Sequence, residues 1–191
     1  RLVLASTSKY RRMLLDRLAV PYEARAPRCD EDAVQASGAP PEEVARELAR
    51  RKAESLAAEL PGAHLLGSDQ VVAIDGAILG KPGSRDAAAA QLTRLAGRTH
   101  RLYTAVALRH PDGRVAEGMS VHTLRMRPLD GAAIQRYVAR DEPLDCAGAY
   151  KIEAGGIALF DAIEGDDFTA ITGLPLLTVV RLLAAAGFVV P

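Results

Sequence analysis

The chain has 191 residues, of which 49% are hydrophobic and 25% are charged, so it can bury a sizeable core and disorder is not expected. Its 24 Lys and Arg residues balance its 24 Asp and Glu residues, which argues against nucleic acid or an anionic membrane surface as the main partner. No apolar run approaches the ~20 residues that a membrane span requires, and two cysteines are too few for a disulfide framework. We therefore expect a cytoplasmic protein whose residues 1–191 form a single domain.

The first predicted elements are a buried strand and a helix joined by a polar turn. The apolar run 2–5 predicts the strand, and Ser6-Thr7-Ser8 supplies capping residues for a helix with apolar spacing from Met13 to Leu18. Residues 20–27 are expected to be extended, and residues 27–41 are expected to form a polar loop.

The next segment combines a helix with a strand hairpin. Proline near its start and Pro61-Gly62 at its end predict a helix from about 41 to 60. Residues 65–74 favour a strand, and Asp75-Gly76 is a typical two-residue hairpin turn before a return strand at 77–79.

The remaining elements interleave strands and helices without strict alternation. The patterns predict a helix at 85–96, strands at 98–109 and 115–127, a helix at 130–140, loops and short strands over 145–172, and a closing helix at 175–186. This order favours an α/β fold with a mixed sheet over a purely parallel one.

The polar turn after the first strand is a candidate anion site. Backbone N–H groups at a helix start carry partial positive charge, and here they lie beside the hydroxyls of Ser6 and Ser8 and the guanidinium groups of Arg11 and Arg12. Arginine can hold phosphate oxygens through two hydrogen bonds. An ordinary serine cap followed by surface arginines is the alternative interpretation.

Two charged residues fall among apolar neighbours. Lys52 continues the i, i+4 series of Val44 and Leu48, so it must pair, reach into a cleft, or extend its amine to solvent. Asp69 lies inside an apolar strand and needs a cation nearby. The hairpin register would place Lys81 diagonal to Asp69, which makes Lys81 either a catalytic neighbour or a purely structural partner.

The acidic loop Asp30-Glu31-Asp32 is a weaker candidate for a metal site. Carboxylate oxygens suit Mg²⁺ or Mn²⁺, although most acidic loops are simply solvated. The scattered histidines argue against zinc. Farther along, Glu153 lies in a glycine-flanked segment where it can face a ligand, whose identity these residues do not specify.

Five short motifs, in order along nearly the whole chain, resemble those of the Maf-like nucleotide pyrophosphatases. They are Leu4-Ala5-Ser6-Thr7-Ser8 with Arg11-Arg12, Gly67-Ser68-Asp69, Gly80-Lys81-Pro82, Ala147-Gly148-Ala149 and Gly173-Leu174-Pro175-Leu176. The resemblance implies an elongated mixed sheet flanked by helices, with two lobes around a substrate cleft, as in inosine triphosphatase-like folds. It also implies a homodimer, and hydrolysis of a nucleoside triphosphate to the monophosphate and pyrophosphate.

The same resemblance implies roles for individual residues. Asp69 matches the catalytic base, and Glu31 matches an acidic position of a divalent metal site that Asp69 can share. The phosphate-binding positions of the family match Ser6, Ser8, Arg11, Arg12, Lys52 and Lys81. A metal-bound water would be the nucleophile if Asp69 were both metal ligand and base.

Three further positions, Tyr10, Gln70 and Glu153, match those that separate substrate branches of the family. The branch acting on 7-methyl-GTP usually carries an aromatic residue, Gln and Glu there, and this chain follows that pattern with Tyr in place of the more familiar Trp. A carboxylate can accept both N1–H and the exocyclic amine of guanine, while uracil and thymine offer no such donor pair. The positive charge of a 7-methylated base favours an aromatic face.

Two alternatives remain open at this stage. One is a pyrophosphatase of the same family that acts on dTTP or UTP. The other is a non-catalytic nucleotide-binding regulator of cell division, a role suggested by the family's historical association. A regulator would need the anion site but no carboxylate base, so Asp69 beside Lys81 favours the enzyme. For the enzyme, we expect a role in keeping modified nucleotides out of nucleic acids.

Overall fold

The structure, a computed structural model, describes residues 1–190 as a mixed α/β chain. Its strands are β1 (Leu2–Ala5), β2 (Tyr22–Arg25), β3 (His64–Ile74), β4 (Ala77–Leu79), β5 (Thr99–Arg109), β6 (Val115–Met126) and β7 (Phe160–Glu164). Its α-helices are α1 (Lys9–Asp16), α2 (Glu31–Gln35), α3 (Pro41–Glu54), α4 (Arg85–Leu95), α5 (Gly131–Asp141), α6 (Phe168–Ile171) and α7 (Leu176–Ala185). None of the helices within residues 1–190 combines the length and apolar content needed to cross a bilayer.

The strands form a seven-stranded sheet in the order β2-β1-β3-β5-β6-β7, with β4 paired to β3. Strand β1 is parallel to both β2 and β3, whereas β3 with β4 and β6 with β7 are antiparallel. The predicted α/β fold with a mixed sheet and flanking helices is therefore confirmed.

The chain divides into two compact units. The first unit comprises Arg1–Gln70, Tyr103–Ser120 and the chain from Asp167 onward, and the second comprises Val71–Leu102 and Val121–Asp166. Strands β3, β5 and β6 each contribute residues to both units.

The core of the first unit explains why its opening strand and helix form as predicted. All four residues of β1 are buried. Leu14 and Leu15 of α1 pack in one cluster with apolar residues of β1, β3, β5 and α7. The Ser8 hydroxyl accepts the N–H of Arg11 and thereby caps α1, so the predicted cap is confirmed. The sequence of this turn thus determines where the helix begins.

The predicted hairpin is also confirmed. Ile74 pairs with Ala77, and the two residues between them have φ angles of 52° at Asp75 and 76° at Gly76. Both values lie in the left-handed region that a two-residue turn of this kind requires. The ladder ends at the pair of Val72 and Leu79, so Lys81 lies beyond the hydrogen-bonded strand.

Other boundaries differ from those expected. Helix α3 ends at Glu54, not near residue 60, and beyond it the N–H of Ala57 bonds to the Glu54 carbonyl in a tighter turn. At this end the Ser55 hydroxyl donates to the Lys52 carbonyl and accepts the N–H of Arg28. Two short helices, α2 and α6, lie in segments expected to be loops. Aspartate side chains cap both, Asp30 for α2 and Asp167 for α6.

The second unit contains a buried aromatic cluster around His100. The imidazole Nε2 is 3.1 Å from the hydroxyl oxygen of Tyr150, and both rings contact Phe160. Burial lowers the pKa of His100 to about 4. His100 is therefore neutral at pH 7 and serves as part of the core.

Candidate active site

The strongest candidate site is a buried ion pair in the first unit. The Asp69 carboxylate on β3 and the Lys52 ammonium on α3 are each 5% exposed. Lys52 Nζ lies 2.6 Å from Asp69 Oδ1. The cation that the sequence required for Asp69 is thus Lys52, whereas the sequence had indicated Lys81 as the candidate partner.

A glycine brings these two elements together. A Cβ at Gly67 would lie 2.6 Å from the backbone nitrogen of Ala53, and closer still to the carbonyl oxygen of Ala49. Only a residue without a side chain lets β3 approach the backbone of α3 this closely. Because Asp69 follows two residues later on the same face of β3, this close approach brings its carboxylate within reach of Lys52.

A second carboxylate shares the same ammonium group. Glu31 Oε2 lies 2.9 Å from Lys52 Nζ, and its side chain is 41% exposed. Glu31 is the first residue of α2, which Asp30 caps by accepting the N–H of Ala33. The lysine therefore joins a buried carboxylate to one that is open to solvent.

The donor set of this cluster fits a hard divalent cation if other ligands complete its shell. Within residues 1–190 no group of three or more His, Cys, Asp and Glu side chains is arranged to hold a metal ion. Mg²⁺ commonly uses only one or two protein carboxylates and completes its shell with phosphates and water. Glu31 and Asp69, which meet at Lys52, are consistent with that arrangement.

The polar turn before α1 is ordered by its own serines. The buried Ser6 hydroxyl accepts the N–H of Ser8, at 3.1 Å, and Ser8 caps the helix. The helix then opens with Lys9, a cation at the end that favours anions. The turn thus places two serine hydroxyls at the start of α1, and binding of an anion there stays a prediction.

Arg11 shares the electrostatic environment of the two carboxylates. Burial lowers the pKa of its guanidinium, and the negative charges of Asp69 and Glu31 oppose that shift. Its Nε donates to the carbonyl oxygen of Gly173 at 2.9 Å. This bond fixes one edge of the guanidinium group, whose terminal nitrogens are further donors for an anion.

The other predicted residues of α1 are more open. Arg12 is exposed, and its backbone carbonyl accepts the hydroxyl of Tyr22 at 3.3 Å. The partly buried Tyr10 has Lys9 Nζ at 4.9 Å from its ring centroid. The ring of Tyr10 therefore already attracts a cation.

The Gln70 side chain holds the segment around α6. Its Nε2 lies 2.8 Å from the Ala170 carbonyl, 2.9 Å from the Ile171 carbonyl and 3.2 Å from the Thr104 hydroxyl. All three acceptors belong to the protein, so the amino group of Gln70 is used to hold the segment around α6. Any effect of Gln70 on substrate choice through this group acts by shaping that segment.

Sequence reasoning missed the residues that secure this segment. Ser68, which is fully buried, directs its hydroxyl toward the carbonyl oxygens of Ala105 and Gly173. Asp167 accepts the N–H groups of Thr169 and Leu177. Ser68 belongs to the Gly67-Ser68-Asp69 motif, but nothing local indicates the carbonyl groups that it contacts, and the long-range contacts of Asp167 have no local signature either.

The two remaining candidates belong to the second unit. Lys81 is exposed and follows β4. Glu153 is also exposed and lies in a turn just before the 3₁₀ helix Gly155–Leu159. The structure therefore brings Asp69, Lys52, Glu31 and Arg11 into one cluster, and places Lys81 and Glu153 at solvent-accessible positions of the other unit.

Known proteins resemble this chain over its whole length. The family model described as Maf-like protein matches residues 1–186. A 7-methyl-GTP pyrophosphatase of Xanthomonas campestris is 48% identical over 100% of this chain and 98% of its own length. A protein of the same name from Bdellovibrio bacteriovorus is 44% identical over 97% of each chain.

A solved structure supports the fold alone. The Ham1 protein of Staphylococcus aureus superimposes with a TM-score of 0.53 and 15% identity, covering 95% of this chain and 97% of its own. The shared arrangement is that of a mixed sheet with flanking helices.

Proposed function

The chain belongs to the family of Maf-like proteins, and we propose that it hydrolyses 7-methyl-GTP to 7-methyl-GMP and pyrophosphate. The relatives named 7-methyl-GTP pyrophosphatase support this substrate, since they are 44% and 48% identical over nearly the full chain. In this role the enzyme acts in the cytoplasm, as a homodimer, and keeps modified nucleotides out of nucleic acids.

The observation that carries the proposal is the buried Asp69–Lys52 pair with Glu31 at its open side. A buried ion pair is a weak source of stability, because the cost of removing two charges from water offsets their attraction. Its presence near a helix N-terminal turn proposed to bind an anion is better explained by chemistry on a charged substrate. The cluster combines a proton acceptor with cations that attract phosphate.

Asp69 is the proposed general base. Its Oδ1 faces Lys52, and the carboxylate accepts a proton from the attacking water. The water oxygen bonds to the α-phosphorus while the bond to the oxygen bridging the α- and β-phosphates breaks, so the electron pair leaves with pyrophosphate. A divalent cation held by Glu31 and Asp69 would supply charge neutralisation at the phosphates.

The basic residues stabilise the negative charge that develops on the departing pyrophosphate. Arg11 is held by Gly173 and offers its terminal nitrogens. Arg12, Lys52 and Lys81 add positive charge, and the turn of Ser6 and Ser8 contributes hydroxyl and backbone donors.

Base recognition is assigned to Tyr10, Gln70 and Glu153. The Glu153 carboxylate accepts the two adjacent donors of guanine, and the ring of Tyr10 attracts the positively charged methylated base. Gln70 acts by holding the segment around α6 through its bond to the Ala170 carbonyl. Cation–π contact contributes ~0.5–2 kcal/mol, which biases the enzyme toward the methylated base without excluding GTP.

A substrate panel tests the proposal. Purified protein is incubated with Mg²⁺ or Mn²⁺ and, separately, 7-methyl-GTP, GTP, dTTP, UTP, CTP or ATP, and the products are separated by chromatography. We expect monophosphate and pyrophosphate, formed mainly from 7-methyl-GTP. Preference for dTTP or UTP would overturn the specificity assignment but keep the reaction. Nucleotide binding without turnover would overturn the enzymatic function in favour of a regulatory nucleotide-binding protein.

A further inference from the structure

The backbone around Glu153 is closed into a compact turn, which we call the Glu153 turn and define as residues 151–156. The N–H of Ala154 donates to the carbonyl oxygen of Lys151 at 3.1 Å, and the N–H of Gly156 donates to the same oxygen at 2.8 Å. The carboxylate of Glu153 lies at the exposed side of this loop. Its position therefore follows the position of the turn as a whole.

Helix α5 holds the Glu153 turn at two points. The hydroxyl oxygen of Tyr137 accepts the N–H of Lys151 at 2.9 Å, and Asp141 Oδ2 accepts the N–H of Gly155 at 2.8 Å. Tyr137 and the side chain of Asp141 are each 5% exposed. They are four residues apart, so they project from the same face of the helix. The two bonds lie on either side of Glu153 in the chain.

The Glu153 turn also stabilises the C-terminal end of α5. Lys151 Nζ donates to the carbonyl oxygen of Glu142 at 2.9 Å and pairs with Asp145 at 3.2 Å. A lysine at the carbonyl end of a helix satisfies acceptors that have no partner within the helix. The helix end and the Glu153 turn are thus joined by contacts in both directions.

Two glycines permit the closed form of the Glu153 turn and its close approach to α5. A Cβ at Gly155 would lie 2.9 Å from Asp141 Oδ2 and would overlap the guanidinium group of Arg140. A Cβ at Gly156 would lie 2.6 Å from the carbonyl carbon of Lys151. A side chain at Gly155 would therefore crowd α5, whereas one at Gly156 would force the Glu153 turn itself open. The sequence therefore carries both the acceptors on α5 and the small residues that let the turn reach them.

We propose that Tyr137 and Asp141 are positioning residues that fix Glu153 for recognition of the guanine base. This inference rests on the function proposed above. An exposed carboxylate on an unrestrained loop would lose conformational freedom when it binds, and that loss weakens recognition. Holding the backbone on both sides of Glu153 before substrate arrives avoids most of this loss. Tyr137 and Asp141 make no contact with the base in this role and act through Glu153.

The test measures selectivity separately from stability. The variants are Tyr137→Phe, which deletes one oxygen, and Asp141→Ala, which deletes the acceptor for Gly155. Each is assayed for kcat/KM with 7-methyl-GTP and with UTP, a base without the donor pair, and its Tm is recorded. We expect the ratio of the two kcat/KM values to fall about 3- to 10-fold, mainly through KM for 7-methyl-GTP.

Three matched variants control the test. Asp141→Asn keeps an oxygen that can accept the N–H of Gly155, so it should retain most of the selectivity. Glu142→Gln breaks the exposed ion pair with Arg85 one residue farther along and should leave the ratio unchanged. Glu153→Gln should reduce the ratio at least as much as Asp141→Ala.

The outcomes separate the inference from the function on which it rests. Equal losses with both nucleotides in Tyr137→Phe and Asp141→Ala would mean that α5 only stabilises the unit, and would overturn the positioning role. So would a ratio that falls in Glu153→Gln but not in either α5 variant. An unchanged ratio in Glu153→Gln would overturn the base-reading role of Glu153 together with this inference. Absence of turnover in the wild-type protein would overturn the proposed function itself.

Discussion

The two carboxylates proposed to act on the substrate lie in contrasting surroundings. Asp69 is 5% exposed and is paired with Lys52, while Glu153 is exposed on a turn held by backbone hydrogen bonds. A buried charge needs a compensating partner at all times, whereas an exposed charge is stabilised by water and needs only to be held in place. The proposed general base and the proposed base-reading carboxylate of this protein thus depend on different kinds of support.

The largest expected effect comes from removing the proposed base. Asp69→Asn keeps the shape of the side chain but cannot accept the proton, so kcat should fall about 10²- to 10⁴-fold with every nucleotide. Binding of the triphosphate, measured by calorimetry with a non-hydrolysable analogue, should persist. Glu153→Gln provides the contrast, since its effect should depend on the base. Turnover that is unchanged in Asp69→Asn would remove Asp69 from the mechanism.

Removing the lysine of the buried Asp69–Lys52 pair should reduce the stability of the protein. Lys52→Met leaves the carboxylate of Asp69 buried without its partner, and we expect the free energy of unfolding to fall by about 3–5 kcal/mol. Urea denaturation monitored by circular dichroism measures this change. Arg51→Gln is the matched control, because it breaks an exposed pair with Glu47 on the same helix and should cost under about 1 kcal/mol. Similar losses in the two variants would contradict the buried pair.

The second unit should respond to acid through His100. Burial lowers its pKa from 6.5 to about 4 in the folded state, so the unfolded chain binds the proton more readily. His100 therefore leaves the free energy of unfolding independent of pH above its pKa in the unfolded chain, and lowers it as pH falls from about 6.5 toward 4. The full loss is about 3 kcal/mol at ~1.4 kcal/mol for each pKa unit.

Comparison with a variant isolates this contribution. His100→Gln cannot titrate, so its unfolding free energy should fall less between pH 7 and pH 4.5 than that of the wild-type protein. Urea denaturation at both pH values measures the two slopes. The exposed Asp112, whose pKa is lowered by hydrogen bonds from Arg114, serves as a surface control through Asp112→Asn. Parallel slopes for wild type and His100→Gln would exclude His100 as the cause.

Local patterns along the chain predicted much of the fold. The cap at Ser8 and the Asp75-Gly76 turn follow from residues within a few positions, and both are confirmed. The predicted end of α3 was wrong by about one and a half turns, and at the observed end Ser55 accepts a hydrogen bond from Arg28, 27 residues earlier in the chain. The short helices α2 and α6 escaped prediction since they are little longer than one turn and carry no apolar period.

The site shows the same division. The resemblance to the family pointed to Asp69, Lys52 and Glu31, and the structure brings these three side chains together. The network that holds the turn after α6, which includes Ser68 and Asp167, had no sequence signal, because hydrogen bonds between distant segments leave no periodic pattern.

The residues around Asp69 already require a cationic partner for it, since an apolar strand cannot hold a lone carboxylate without a large desolvation cost. Nothing in these neighbouring residues specifies which cation this is. Lys52 stands 17 residues earlier in the chain, and it reaches Asp69 because Gly67 lets β3 approach α3 more closely than any side chain would allow. The requirement for a partner is a property of one residue and its neighbours, whereas its identity depends on how two elements pack.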